Sequence, residues 1–335
     1  MLKWLGIFVS TGLSLFLVTG IYFDQSREVI ESRHSVPESR FFEGSDGSRI
    51  HFLDQGNREH PAIIFLHGFN GSVFNFDRLV PLLSANFRLI SIDLPGFGLT
   101  GAVSSGEYSN EVFMSTVSHV ADYLGIDEFS VAGNSMGGGV AWKYALKYPE
   151  RIDSLILIAS TGTGKRYDNA SVSAKSSSSP IAWKLIPVGF LKDFLALYTP
   201  RFFATQGLKT VFYNQDLATG KLASQYHELV LMEGSREAIL SMFSAQRFKD
   251  LSRSTSPEVL SRIDVPTLVI HGKEDRIINY KSSEIFKDHI PIVVTKIYPE
   301  TGHLPMYEVP ERVAKDITDF FSEHLPHRSV LLNKD

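Results

Sequence analysis

Gly133-Asn134-Ser135-Met136-Gly137 constrains this chain more than any other five residues. An apolar run, Phe129 to Ala132, has the length and β-branched content of a buried strand and leads directly into it. Val140 to Tyr148 follows, rich in Ala, Leu and Lys, and reads as a helix. The pattern is strand, tight turn, helix, with a serine at the apex. A serine on so sharp a turn adopts a strained backbone, and side chains two residues to either side would strike the neighbouring strand and helix. The hydroxyl is pushed out of the turn. The N–H of Met136 then lies at a helix N-terminus and points toward any oxyanion that forms beside Ser135.

Other apolar runs extend the pattern. Pro61 to Leu66 is continuous, the mark of a strand covered on both faces, and ends in His67-Gly68-Phe69-Asn70-Gly71. Arg88 to Leu94 is a second, ending in Pro95-Gly96-Phe97-Gly98, and Ser154 to Ala159 a third. Phe41 to Leu53 reads as a hairpin, and Ser109 to Gly125 has helical spacing. The alternation predicts an α/β fold, a mostly parallel sheet with helices on both faces. It breaks after Ala159. Ser160 to Ile263 holds a Ser-rich stretch, Ser171 to Ser179, and several aromatic-rich helical segments. Strands resume at Thr267–His271 and Val293–Tyr298, and a last helix runs from about Pro310 to His324.

Two loops on this plan carry candidate chemistry. Asp275 follows the strand Thr267–His271, and His303 follows the strand Val293–Tyr298. Loops after parallel strands emerge at one sheet edge, so Ser135, Asp275 and His303 are expected together there, in the chain order Ser, Asp, His. A histidine can take the serine proton near neutral pH, and a carboxylate fixes the imidazole tautomer.

With these motifs in that order the chain resembles the α/β-hydrolase superfamily from about Ile50 to His324. The resemblance rests on His67-Gly68-Phe69, Asp93-Leu94-Pro95-Gly96-Phe97-Gly98, Gly133 to Gly138, Gly272 to Asp275 and Gly302-His303. It implies a helical cap inserted after the sixth strand and a second oxyanion donor, the backbone N–H of Phe69. Some relatives take the acid after the strand ending at Ala159. Ser160 to Gly164 contain no carboxylate, which favours Asp275, with Glu274 and Asp264 as local rivals. His67 reads as a structural residue of the oxyanion loop and His271 as buried and hydrogen-bonded.

The resulting division is residues 1–24 as an N-terminal anchor or signal, 25–40 as a linker, 41–159 and 264–335 as the two parts of the body, and 160–263 as the cap. Trp4 to Phe23 carries no charge, enough to span a bilayer. Lys3 before it places the N-terminus in the cytoplasm and the body on the far side, as a single-pass anchor; export after signal cleavage is the rival.

Composition closes off other classes. Of 335 residues none is cysteine, so disulfides and thiolate catalysis are excluded. The net charge of -4, with no basic stretch, argues against nucleic-acid binding. No cofactor or metal is expected, since no site has metal-ligand spacing. The expected activity is hydrolysis of a small-molecule carboxylic ester. Membrane-anchored monoacylglycerol lipases in the resembled superfamily, and the aromatic insertion, lean it toward lipid-like esters. Carbon–carbon bond hydrolysis of ring-cleavage products shares the Gly-Asn-Ser-Met-Gly-Gly turn, although small residues usually follow His-Gly there and Phe69 is bulky. A haloperoxidase-like activity uses the same triad. Epoxide hydrolases and haloalkane dehalogenases need a carboxylate where Ser135 stands. A non-enzymatic ligand-binding protein on the same fold is the remaining alternative.

Overall fold

The structure is a computed structural model that describes residues 20–44, 47–162, 197–242 and 256–325. Its centre is an eight-stranded sheet: β1 (Ser39–Glu43), β2 (Arg49–Gly56), β3 (Ala62–Leu66), β4 (Arg88–Ile92), β5 (Phe129–Asn134), β6 (Ile152–Ile158), β7 (Thr267–Gly272) and β8 (Val293–Tyr298). The spatial order is β1-β2-β4-β3-β5-β6-β7-β8. β1 and β2 form the expected hairpin, and β2 joins β4 antiparallel. From β4 to β8 every pairing is parallel.

The continuous apolar runs are explained by what covers the two faces. Successive side chains of a strand point to opposite faces. Ile64 and Leu66 of β3 join one core cluster with Val131, Phe113 and Trp142. Their neighbours Ile63 and Phe65 join another with Ala132, Ile270 and Ile317. Among the helices described are α1 (Arg27–His34), α2 (Asn110–Tyr123), α3 (Met136–Lys147), α4 (Arg201–Val211), α5 (Gly220–Val230), α6 (Ser235–Met242) and α7 (Pro310–His324). α2 and α3 cover the first face and α7 the second. α2 starts where Ser109 accepts a hydrogen bond from the Val112 N–H, a side-chain N-cap. α7 buries Val313, Ile317, Phe320 and Phe321 along one stripe. Each such side chain contributes roughly 1.5–3 kcal/mol on burial.

The helices between β6 and β7 include α4, α5 and α6, as the helical insertion requires. The Ser-rich stretch and the aromatics Trp183, Phe190, Phe194, Phe243 and Phe248 lie outside the described residues.

The N-terminal reading needs correction. Residues 1–19 of the expected anchor lie outside the described residues, but its last five do not continue as a helix. Ile21 forms an antiparallel bridge with Tyr198, the Tyr22 N–H donates to the Leu197 carbonyl, and the Thr199 N–H donates to the Gly20 carbonyl. Just beyond, the Arg236 side chain binds the Asp24 carboxylate at 2.9 Å and the Tyr22 carbonyl at 2.7 Å. Among the described residues no helix is long and apolar enough to cross a membrane. The spanning anchor, and the side of the membrane inferred from it, are therefore withdrawn. The physical reason is that the backbone at the end of the run finds its hydrogen-bond partners in residues 197–199 rather than within a helix of its own.

Residues 25–40, expected as a linker, hold α1 and the start of β1. α1 is polar because it docks mostly through charge. Arg27 donates to the carbonyls of Leu99 and Thr100, and Glu31 pairs with Arg49. Ile30 alone is fully buried, against Leu53, Val73 and Leu229.

Candidate active site

Ser135 stands between β5 and α3 at φ 53° and ψ −116°, a strained conformation for a residue with a side chain. The crowding that forces it is measurable at the flanking glycines. A Cβ on Gly133 would lie 2.2 Å from the Gly137 carbonyl oxygen, and one on Gly137 would lie 2.3 Å from that of Leu66. The serine is 8% exposed. Its neighbour Met136 opens α3, so the Met136 N–H is among the first-turn donors that have no acceptor within the helix.

His303 and Asp275 meet as expected. The His303 Nδ1–H donates to Asp275 Oδ2 at 2.6 Å, which leaves Nε2 as the ring's acceptor. The other carboxylate oxygen, Oδ1, accepts the N–H groups of Ile277 at 2.7 Å and Ile278 at 2.9 Å. The Asp275 side chain is fully buried. Burial pushes its carboxyl up, but the charge of His303 and the hydrogen bonds from His271 and His303 outweigh that and hold it well below the usual carboxylate range. Glu274, the rival, instead accepts the Thr301 N–H at 3.2 Å. Asp264 is exposed ahead of β7, at the opposite end of the strand.

Serine and histidine are brought together through Asn134. Its Nδ2 donates to the His303 carbonyl at 3.2 Å and to the Ile158 carbonyl at 3.1 Å. Among the described residues no hydrogen bond joins the Ser135 hydroxyl itself to His303.

The loop after β3 lies against the serine: a Cβ on Gly68 would be 3.0 Å from that of Ser135. His67 shapes this loop, as read from the sequence. Its Nδ1–H donates to the Gly68 carbonyl at 2.7 Å and its Nε2 accepts the Leu94 N–H at 3.0 Å. Burial lowers its basicity, consistent with a neutral ring. Phe69 packs edge-on against Phe97, ring centroids 5.3 Å apart. Asp93 ties the loop to the turn after β4 by accepting the N–H groups of Val73 at 2.7 Å and Leu99 at 2.8 Å. It also accepts from His51 Nδ1 at 2.7 Å, and His51 Nε2 accepts from the Ser39 hydroxyl at 2.9 Å.

Sequence reasoning missed Glu308. Its Oε1 accepts the Gly302 N–H at 2.8 Å, and its Oε2 accepts those of Tyr213 at 2.8 Å and Asn214 at 3.3 Å. The His303 N–H donates to the Val211 carbonyl at 2.7 Å. The end of α4 thus clamps the histidine loop. Burial raises the Glu308 carboxyl above its ordinary value despite these three donors. The available signal was an acid five residues beyond the histidine, too common a spacing to single out.

Beside the loop a narrow cleft runs between Asn70, Phe97 and the insertion residues Tyr226, Leu229, Val230 and Ile239. Among the described residues no group of three or more His, Asp and Glu is placed to hold a metal ion.

Comparison with known proteins identifies the family and the fold. The family model described as alpha/beta hydrolase fold matches residues 61–310. The chain is 29% identical over 266 residues to the 2-hydroxymuconate semialdehyde hydrolase of Pseudomonas sp. strain CF600, covering 78% of this chain and 87% of that one. It is 24% identical over 284 residues to Lipase 1 of Psychrobacter immobilis, covering 83% and 82%. A variant of the meta-cleavage product hydrolase from Pseudomonas fluorescens IP01 superposes with a TM-score of 0.71 at 26% identity, over 85% of this chain and 97% of that one.

Proposed function

Since the chain belongs to the α/β-hydrolase family, we propose that it is a serine hydrolase cleaving carboxylic esters through an acyl-enzyme on Ser135. The observation that carries this reading is the 2.6 Å bond from His303 to Asp275 beside a serine held at φ 53°. Ser135 Oγ attacks the carbonyl carbon while His303 Nε2 takes its proton. The N–H groups of Phe69 and Met136 hold the oxyanion. His303 protonates the leaving alcohol, and water repeats the sequence to release the acid. The apolar side chains of the cleft, Phe97, Leu229, Val230 and Ile239, support an apolar acyl or alcohol portion. The resemblance to a lipase leans the same way.

A second reading is hydrolysis of a carbon–carbon bond in a ring-cleavage product. It is favoured by the likeness to the semialdehyde and meta-cleavage product hydrolases. Phe69 after His67-Gly68 counts against it. One panel separates the two: esters graded in acyl length, beside a vinylogous ring-cleavage diketone. Ester turnover that exceeds diketone turnover and disappears in Ser135→Ala supports the first reading. The opposite preference replaces it with the second.

A further inference from the structure

Asp275 is held by two histidines. His271 is the penultimate residue of β7, four residues before the acid, and is fully buried. Its Nε2 lies 3.1 Å from Asp275 Oδ2 and 3.0 Å from the Ile278 carbonyl oxygen. Both neighbours are acceptors, so Nε2 carries the hydrogen. Its Nδ1 is buried with no partner, and a proton there would be an unsatisfied donor. His271 is therefore fixed as a donor through Nε2.

Asp275 Oδ2 is consequently shared between two imidazoles, His303 at 2.6 Å and His271 at 3.1 Å. Oδ1 is taken by two backbone N–H groups. Both carboxylate oxygens are therefore held by two donors each. Each donor on Oδ2 also draws on the same negative charge, so what His271 takes is not available to His303. The other charged groups around the pair are engaged with backbone. Glu308 holds the N–H groups of Gly302, Tyr213 and Asn214, Glu274 holds that of Thr301, and Arg276 donates to the Lys209 carbonyl. They do not compete for Oδ2.

We propose that His271 is a positioning residue that orients Asp275 and limits its pull on His303, so that the base stays neutral, and the enzyme active, at lower pH. This rests on the reading of Ser135, His303 and Asp275 as an acyl-transfer triad. Weakening the second donor strengthens the first, and a better-stabilised imidazolium gives up its proton at higher pH.

The test is the pH dependence of kcat/KM for a soluble p-nitrophenyl ester, using the full chain. In His271→Phe, which cannot donate, the acid limb moves up by about half a pH unit, the scale of one neutral hydrogen bond. In His271→Gln, whose amide N–H can take the place of Nε2–H, the limb returns toward the wild-type position. A His271→Phe limb that superposes on wild type while the rate falls overturns the proposal, because packing loss alone lowers the rate without moving the limb. Should His271→Phe not fold, the imidazole 15N shifts of the wild-type protein at pH 8 decide. An Nε2–H tautomer for His271 supports the proposal and an Nδ1–H tautomer overturns it. Ser135→Ala is assayed alongside. Activity that survives it sinks the triad itself, whereas an unmoved limb with an inactive Ser135→Ala sinks only the role of His271.

Discussion

Asn134 holds the backbone of His303: its side-chain amide donates to the His303 carbonyl at 3.2 Å from the position just before Ser135. The same amide donates to the Ile158 carbonyl at 3.1 Å. One side chain thus couples the serine turn, the end of β6 and the histidine loop. In Asn134→Ala two carbonyls lose a buried donor, at a cost of about 1–3 kcal/mol. Asn134→Asp sets a carboxylate against both carbonyls and costs more at neutral pH. Chemical denaturation measures the order, and kcat/KM should fall with it. An Asn134→Asp protein as stable as wild type at pH 7 would remove Asn134 from this role.

A serine-directed fluorophosphonate should label Ser135 and leave Ser39 unmodified, although Ser39, His51 and Asp93 are themselves joined in a hydrogen-bonded Ser–His–Asp chain. The difference lies in the donors. At Ser39 the Val36 N–H points at the hydroxyl oxygen itself, 3.0 Å away, and occupies one of its lone pairs. At Ser135 the next N–H in the chain opens α3 with no acceptor inside the helix, and it is the donor that the acyl-transfer reading assigns to the oxyanion. Peptide mapping of the labelled protein locates the adduct. Ser135→Ala should abolish labelling and lower ester turnover by roughly four orders of magnitude, since the triad acts as a unit. More than a tenth of wild-type turnover in that variant would exclude Ser135 as the nucleophile.

Much of this site was legible because its parts follow strands. The run Val293 to Tyr298 is β8 to the residue, and the glycines beside Ser135 announced a turn that only glycine can flank. What stayed hidden were contacts across long sequence separations. Nothing near His303 in the chain announces Val211, and a carboxylate holding backbone N–H groups, as Glu308 does, looks like any surface acid. The N-terminus misled for a related reason. Arg236, far away in sequence, fixes Asp24 and the Tyr22 carbonyl, and so the backbone at the end of an uncharged run is tied to protein.

Asp275→Asn should lower kcat/KM by roughly 10³–10⁴-fold, because an amide can hold the wrong imidazole tautomer. Glu274→Gln should be mild, since Glu274 touches only the Thr301 N–H. The reverse order of severity would move the acid by one residue. Linkage adds a stability test. The Asp275 carboxyl is held below its ordinary value when folded. Its contribution is therefore fully present above the unfolded value of about 3.9 and is lost only as pH falls through the lower folded value. The stability gap between wild type and Asp275→Asn should not shrink from pH 7 to about pH 5 and should close only in stronger acid. A gap that closes between pH 7 and pH 5 would show that Asp275 is not held this way.

Two glycine-to-alanine changes should act in opposite directions. A methyl on Gly137 would meet the carbonyl oxygen of Leu66 at 2.3 Å and that of His67 at 2.5 Å. Both are backbone atoms of β3 and the loop after it, and neither can retreat without pulling β3 from β5 or moving Gly68 away from Ser135. Gly137→Ala should therefore cost about 3 kcal/mol, the upper range for overpacking, and abolish activity in whatever remains folded. Gly207 lies inside α4, and a methyl there meets nothing within 4 Å. Its replacement restores helix propensity alone, so Gly207→Ala should stabilise by up to about 1 kcal/mol. α4 ends at Val211, whose carbonyl accepts the His303 N–H, so a firmer α4 should leave kcat/KM equal to or slightly above wild type. Thermal melts of the two variants measure the contrast. A Gly137→Ala protein that melts with wild type would mean that the turn at Ser135 is looser than its contacts require.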